Sequence, residues 1–116
     1  MNRGDVVIVE FPYVDGRRGK NRPALVVQND RDNQRLANTI IAMITGNLRF
    51  THLSTQLRID VNTAEGKASG LVKSSAIKAG SLFTIQQRDI LAVIGRLSDD
   101  SLRKFDQCLK AALELS

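Results

Sequence analysis

Four short runs of β-branched and aliphatic residues dominate the sequence and limit the folds open to it. They read "DVVIVEF" (5–11), "PALVVQ" (23–28), "TIIAMIT" (39–45) and "ILAVIGRL" (90–97), with turn-forming residues between them. Runs of this length and composition predict β-strands. None approaches the roughly 20 apolar residues that a helix needs to cross a bilayer. The sequence therefore predicts a small, mostly antiparallel sheet and no membrane partner.

The segments between these runs are shorter and more polar. "TQLRID" (55–60) alternates like a half-buried strand, and "LVKSSAIKAGSLFTI" (71–85) holds strand pieces that Gly80 interrupts. "NDRDNQRLAN" (29–38) has room for one helical turn, and residues 62–70 are predicted to form a loop with two glycines. Pro23 is expected at the first residue of the second strand, because proline cannot donate to a β-ladder. Arg22 would then open that strand in an extended conformation.

The C-terminal segment "SDDSLRKFDQCLKAALEL" predicts an amphipathic helix. Ser98 is its expected N-cap, and Asp99 and Asp100 suit the positive end of the helix dipole. One apolar stripe comprises Leu102, Phe105, Leu109, Ala112 and Leu113. With 116 residues, the chain predicts a single domain (1–116) of the mainly β, α+β class, a small barrel-like sheet with a C-terminal α-helix.

The chain is basic, with 17 Lys and Arg against 12 Asp and Glu and a net charge of +5. Such a balance favours nucleic acid or an acidic protein as a partner, although solubility alone explains it equally well. The placement of the cations favours a partner, because four of them crowd one short segment that has no acid among them. These are Arg17, Arg18, Lys20 and Arg22.

Several familiar site types are excluded by the residue inventory. One histidine and one cysteine cannot build a zinc cluster within one chain. No glycine-rich phosphate loop follows a strand, and no Ser-His-Asp set is apparent. His52 lies in a polar loop and is expected at the surface, whereas Cys108 is expected in the core beneath the C-terminal helix. A single cysteine forms no internal disulfide, which favours a cytosolic location.

Two polar residues at strand ends remain as candidates for chemistry. Arg22 opens one predicted strand and Thr45 closes another, and antiparallel neighbours would bring both to one rim of the sheet. A guanidinium and a hydroxyl there match the oxygens of a phosphate. RNA cleavage needs little more, because the ribose 2′-hydroxyl is an internal nucleophile. The alternative is a solvated loop cation beside an ordinary strand-end threonine.

Almost the whole sequence resembles the MazF/PemK family of bacterial toxin endoribonucleases. The segments that carry the resemblance occur in the family's order and spacing, and Arg-Pro opening the second strand and Thr ending the third are the most specific part. They are "RGDVVIVEF", "NRPALVVQND", "TIIAMITGN", "LSTQLRID" and "SGLVKSSAIKAGSLFTI".

The resemblance implies an SH3-like barrel of the CcdB/PemK type, a homodimer, and cofactor-free, metal-independent cleavage of single-stranded messenger RNA. The family's catalytic arginine falls on Arg22 and its catalytic threonine on Thr45. The 2′-oxygen attacks in this family, giving a 2′,3′-cyclic phosphate and a 5′-hydroxyl, and an acidic antitoxin holds the toxin inactive. Further RNA contacts are expected from Asp15, Arg17, Arg18, Lys20, Asn47, Arg49, Thr55 and Ser81.

The sequence departs from the family pattern at two places near the expected RNA groove. The loop before Arg22 reads "GRRGKN" without the family's carboxylate, so that Asp15 is the nearest acid. Gly80 and Ser81 stand where an acidic residue and glutamine often precede the "IRTI" segment. Two other functions therefore stay open: a CcdB-like protein that poisons DNA gyrase by binding, and a non-catalytic RNA-binding relative.

Overall fold

A computed structural model describes residues 1–11 and 19–116, and these residues form one six-stranded antiparallel sheet with three α-helices. The strands are β1 (Asp5–Phe11), β2 (Lys20–Val26), β3 (Asn38–Thr45), β4 (Gln56–Ile59), β5 (Ser75–Gln86) and β6 (Ile90–Arg96). The helices are α1 (Asp30–Arg35), α2 (Ala64–Ser69) and α3 (Asp99–Leu113). The strand order is β4-β5-β3-β2-β1-β6. No helix in the described part of the chain is long and apolar enough to cross a membrane.

The sheet carries a separate apolar cluster on each face, because successive side chains of a strand point to opposite sides. Val6 and Leu25 belong to one cluster, and their neighbours Val7 and Ala24 belong to the other. Helix α3 covers the first cluster and contributes the buried Phe105 to it. Two buried surfaces therefore hold the central strands β1, β2 and β3 in a fixed register.

Helix α3 confirms the predicted cap and most of the predicted stripe. The Ser98 hydroxyl accepts a hydrogen bond of 3.1 Å from the Ser101 N–H, and Leu102 is buried. Leu113 lies on the same helix face as Leu102, but 52% of its surface is exposed. The apolar cluster under the helix ends at Ala112, so the final residue of the helix has nothing apolar to cover.

Strand β5 bends sharply instead of breaking at Gly80. Its pairing with β3 runs from Ala42↔Leu82 to Ile44↔Ile77, so that residues 78–81 lie opposite Met43 alone. A glycine with open space around it occupies this bend, which lets the strand change direction and curl the sheet. The predicted strand pieces of residues 71–85 are thus one bent strand that begins only at Ser75.

Strand β2 begins three residues earlier than predicted, at Lys20. Arg22 therefore lies inside the strand, paired with Val9, and Pro23 is paired with Ile8 rather than standing first. The strand accepts proline here because its pairing with β3 begins only at Ala24. On the side of β2 that faces β3, Pro23 has no paired residue, so its missing N–H breaks no hydrogen bond of that ladder.

Helix α2 lies where the sequence predicted a loop. The Thr63 hydroxyl caps it by accepting a 3.0 Å hydrogen bond from the Gly66 N–H. Gly70 ends the helix with a φ of 74°, the left-handed conformation that glycine adopts without strain. Two glycines within seven residues hid the helix, although its capping residues were legible in the sequence.

Candidate active site

The end of β3 is flanked by the first residues of two neighbouring strands. Pairs Ala24↔Met43 and Leu25↔Ala42 fix the register of β2 against β3. Arg22 lies two residues before the first of these pairs along β2, and Thr45 lies two residues after it along β3. On its other side, Thr45 pairs with Ala76 near the start of β5. Three strand segments therefore converge at one rim of the sheet, as the predicted antiparallel arrangement requires.

A cleft of about 290 Å³ opens at this rim. Two of the predicted cations, Lys20 and Arg22, line it and are exposed. Ile44 and Gly46, the residues on either side of Thr45, also line it. The remaining lining residues are Asn21, Pro23, Leu71, Val72, Lys73 and Ser75. Because none of the described lining residues is acidic, the cleft favours an anionic ligand.

The Thr45 hydroxyl is oriented by the loop that follows it. Its oxygen accepts a hydrogen bond of 3.2 Å from the Asn47 N–H, and the Asn47 side-chain oxygen accepts one of 3.0 Å from the Arg49 N–H. A threonine hydroxyl has one proton to donate besides its acceptor sites. With an acceptor site directed at Asn47, that proton can be donated to a phosphate oxygen. Three predicted site residues are thus joined in one short hydrogen-bonded series.

Lys73 is a cleft residue that the sequence reasoning missed. A Cβ built on Gly46 would lie 2.5 Å from Lys73 Cε and 2.7 Å from its Nζ, so the lysine side chain rests on the Gly46 backbone beside Thr45. The Ser75 hydroxyl donates a 2.9 Å hydrogen bond to the Lys73 carbonyl. The strand pattern held the necessary signal, since the start of β5 meets the end of β3 in an antiparallel pair.

Thr45, Asn47 and Arg49 are not among the residues that line the cleft. Two further predicted RNA contacts, near the bend of β5, do not line it either. The Thr55 carbonyl accepts a 3.0 Å hydrogen bond from the Ala79 N–H, and both Thr55 and Ser81 are half-buried. The predicted contacts at Asp15, Arg17 and Arg18 lie outside the described residues.

The single histidine and the single cysteine have the environments that the sequence predicted. His52 is exposed in the loop between β3 and β4, and Cys108 is buried on the inner face of α3. Burial raises the pKa of the Cys108 thiol by desolvating the thiolate. A thiol of raised pKa is a poor nucleophile at neutral pH, which is consistent with a packing role for Cys108.

Residues 2–113 match the family described as PemK-like, MazF-like toxin of type II toxin-antitoxin system. The chain belongs to this family. A relative, the endoribonuclease EndoA of Bacillus subtilis, is 32% identical over 116 residues, which cover 99% of this chain and 96% of that protein. The predicted family is thereby confirmed.

Solved structures of similar fold cover nearly the whole chain. A mycobacterial endoribonuclease in complex with its cognate antitoxin has a TM-score of 0.81 at 19% identity, covering 100% of this chain and 97% of that one. The Mycobacterium tuberculosis toxin MazF-mt6 has a TM-score of 0.77 at 23% identity, covering 97% and 98%. A MazE-MazF structure from Deinococcus radiodurans also scores 0.77, at 17% identity and 100% and 98% coverage. These likenesses confirm the predicted fold.

Proposed function

We propose that this endoribonuclease toxin cleaves single-stranded messenger RNA in the cleft beside Thr45, without a metal ion. The observation that carries the proposal is the convergence of Arg22, Lys20 and Lys73 around the end of β3. Three cations with no carboxylate among the described lining residues match the charge of a ribose-phosphate backbone. Cleavage of messages would stop translation and growth.

Each proposed step follows from the groups available at the rim. The ribose 2′-oxygen attacks the adjacent phosphorus and forms a 2′-O–P bond. The bond from phosphorus to the 5′-oxygen then breaks; the 2′-hydroxyl proton passes to water, and the leaving 5′-oxygen takes a proton from water. The products are a 2′,3′-cyclic phosphate and a 5′-hydroxyl end. No step requires a redox change or a cofactor.

Arg22 and Thr45 act on the charge that develops at phosphorus. The Arg22 guanidinium presents several N–H donors in a planar fork that fits two phosphate oxygens at once. The Thr45 hydroxyl donates to a nonbridging oxygen. Preorganised donors of this kind stabilise the transition state more than the ground state and account for much of the rate in comparable reactions. Lys73 adds positive charge on the same side of the rim as Gly46.

The partner proteins follow from charge and from exposed apolar surface. An acidic antitoxin fits the net charge of +5 and the cationic cleft, which it would cover in the cytoplasm. A second copy of the chain fits edge strand β6, where Leu91 is 57% exposed and Val93 is 49% exposed. Unpaired edges that carry apolar side chains favour association. Sedimentation equilibrium should give twice the mass of one chain.

The test of the activity is cleavage of mixed-sequence RNA by purified protein in EDTA, with the ends of all fragments mapped. Fragments ending in 2′,3′-cyclic phosphate and 5′-hydroxyl are expected. Products with 5′-phosphate ends, or activity that EDTA abolishes, would contradict the mechanism.

The same preparation also distinguishes the two other functions. Intact RNA together with inhibited DNA gyrase would identify a CcdB-like binder. Intact RNA that is nonetheless bound by the protein would identify a non-catalytic relative, and either result overturns the proposed endonuclease.

A further inference from the structure

The loop between β3 and β4 carries an aromatic ring that the core does not use. Phe50 is 43% exposed, and the Arg49 guanidinium carbon lies 5.4 Å from the centre of its ring. The His52 ring lies 6.5 Å away at an angle of 38°. A cation and two rings therefore share one exposed surface, which we call the Phe50 surface (Arg49, Phe50 and His52).

The other phenylalanines of the chain have packing partners that explain them. Phe105 is fully buried in the cluster under α3. Phe11 and Phe83 pack edge to face, with ring centres 5.3 Å apart. The sequence has only four phenylalanines, one tyrosine and no tryptophan. In a chain with so few aromatic residues, an exposed phenylalanine beside a guanidinium is a candidate ligand-binding surface.

Hydrogen bonds hold the Phe50 surface at a fixed position relative to Thr45. The two bonds that run from Thr45 through Asn47 to Arg49 lead directly to it. Beyond Phe50, the Thr51 N–H and hydroxyl both donate to the Leu48 carbonyl, at 3.2 and 2.9 Å. The loop is thus a series of turns with defined geometry. A ligand held at Phe50 is positioned with respect to the Thr45 hydroxyl.

We propose that Phe50 stacks on an unpaired base of the RNA strand that lies in the cleft, while Arg49 binds the phosphate beside that base. The inference rests on the proposed function and specifies two contacts that would bind the substrate next to the reacting phosphate. Single-stranded RNA exposes planar bases that stack on aromatic rings and on guanidinium planes. A stacked base and its phosphate need a ring and a cation side by side, as found here.

An acidic peptide would use this surface differently. Its carboxylates would pair with Arg49 and leave the face of Phe50 without a flat partner, so loss of the ring would cost little. Stacking on an aromatic residue, by contrast, strengthens binding by about 5- to 150-fold per base. Removal of the ring therefore separates the two classes of ligand.

The first experiment is Phe50→Trp, which gives a chain that contains no other tryptophan. Its fluorescence is titrated with a 2′-O-methyl oligonucleotide, which cannot be cleaved because the attacking hydroxyl is blocked. Saturable quenching is expected, and Leu115→Trp, at an exposed C-terminal residue, should show none. Equal quenching of both variants, or quenching of Phe50→Trp only by an acidic peptide, would overturn the proposal.

The second experiment uses Phe50→Leu, which keeps an apolar side chain but removes the ring. Anisotropy is measured with oligonucleotides that each lack one base. One abasic position should weaken binding by wild-type protein about tenfold and leave binding by the leucine variant unchanged. Wild-type affinity of the leucine variant for every oligonucleotide would overturn the proposal. Failure of wild-type protein to cleave RNA would instead refute the proposed function, so the two failures are distinguishable.

Discussion

The side chain of Lys73 lies directly on the backbone of Gly46, with Cε 2.5 Å from where a Cβ of residue 46 would stand. This contact joins the segment before β5 to the residue that follows Thr45. It places a flexible cation against the backbone of the residue next to Thr45, where a Cβ on residue 46 would overlap the lysine side chain.

Gly46→Ala should lower RNA cleavage without unfolding the protein. The new methyl group displaces the end of the lysine side chain, which is flexible and can move at little cost, but its ammonium group then leaves the cleft. Lys73→Ala should cause a similar loss, on the order of tenfold, and the double variant should lose little more. Initial cleavage rates on one RNA give the comparison. Gly80→Ala is the matched control, because a Cβ there meets no atom of the described residues within 4 Å. Additive losses in the double variant would show that Gly46 acts by another route.

Thr45→Val should lose about 10²- to 10³-fold in cleavage rate, because it removes one preorganised donor at the reacting phosphate while keeping the shape of the side chain. Thr45→Ser keeps the hydroxyl and should retain most of the activity. Thr84→Val, at an exposed residue of β5, controls for loss of a strand hydroxyl elsewhere. Single-turnover rates at saturating protein isolate the chemical step. A valine variant as fast as the serine variant would remove Thr45 from the mechanism.

Arg22→Lys should be nearly as inactive as Arg22→Ala, since lysine keeps the charge but loses the planar fork of donors. We expect losses of about 10²-fold or more in the cleavage rate. Circular dichroism should show both variants folded, because the side chain is exposed. Arg88→Ala, an exposed arginine in the turn between β5 and β6, is the matched control. If the lysine variant cleaves at the wild-type rate, charge alone suffices and the fork has no role.

Cys108→Ala should leave the cleavage rate unchanged while lowering stability. The thiol is buried on the inner face of α3 and its pKa is raised by desolvation, so it packs rather than reacts. Removing a buried sulfur leaves a small cavity, which costs on the order of 1 kcal/mol. Urea denaturation measures the stability change, and native protein should react with iodoacetamide far more slowly than unfolded protein. A cysteine variant that folds but fails to cleave RNA would contradict this role.

Most of the fold was predictable because its signals are local. The β-branched runs predicted β1 and β3 at their boundaries to within a residue. Ser98 and the two aspartates after it predicted the start of α3. Helix α2 was hidden because two glycines lie within it or directly after it and because the residue it packs against, Gly95 of β6, is far away in sequence. Such contacts leave no periodic pattern to read.

The candidate site was only partly predictable for a related reason. Arg22 and Thr45 could be expected at one rim of the sheet, because strands adjacent in sequence are often antiparallel neighbours. Lys73 was missed because β5 is the direct neighbour of β3 in the sheet although β4 and α2 separate the two strands in the sequence. Ser81 is expected near the RNA by resemblance; it does not line the cleft, and its contact with RNA stays a prediction.

Gly95→Ala should destabilise the protein and lower cleavage together, although Gly95 does not line the cleft. A Cβ on this residue of β6 would overlap the backbone of Ala68 and Ser69 at the end of α2. The helix must then move away, at a cost of about 1–3 kcal/mol or more. Residues 71–75, which form one wall of the cleft and follow α2 directly, would move with it. Urea midpoints measure the first effect, and cleavage rates well below the midpoint measure the second. Gly80→Ala again serves as the control. A Gly95→Ala protein with the wild-type urea midpoint would show that α2 can move without loss of stability and does not hold residues 71–75 in place.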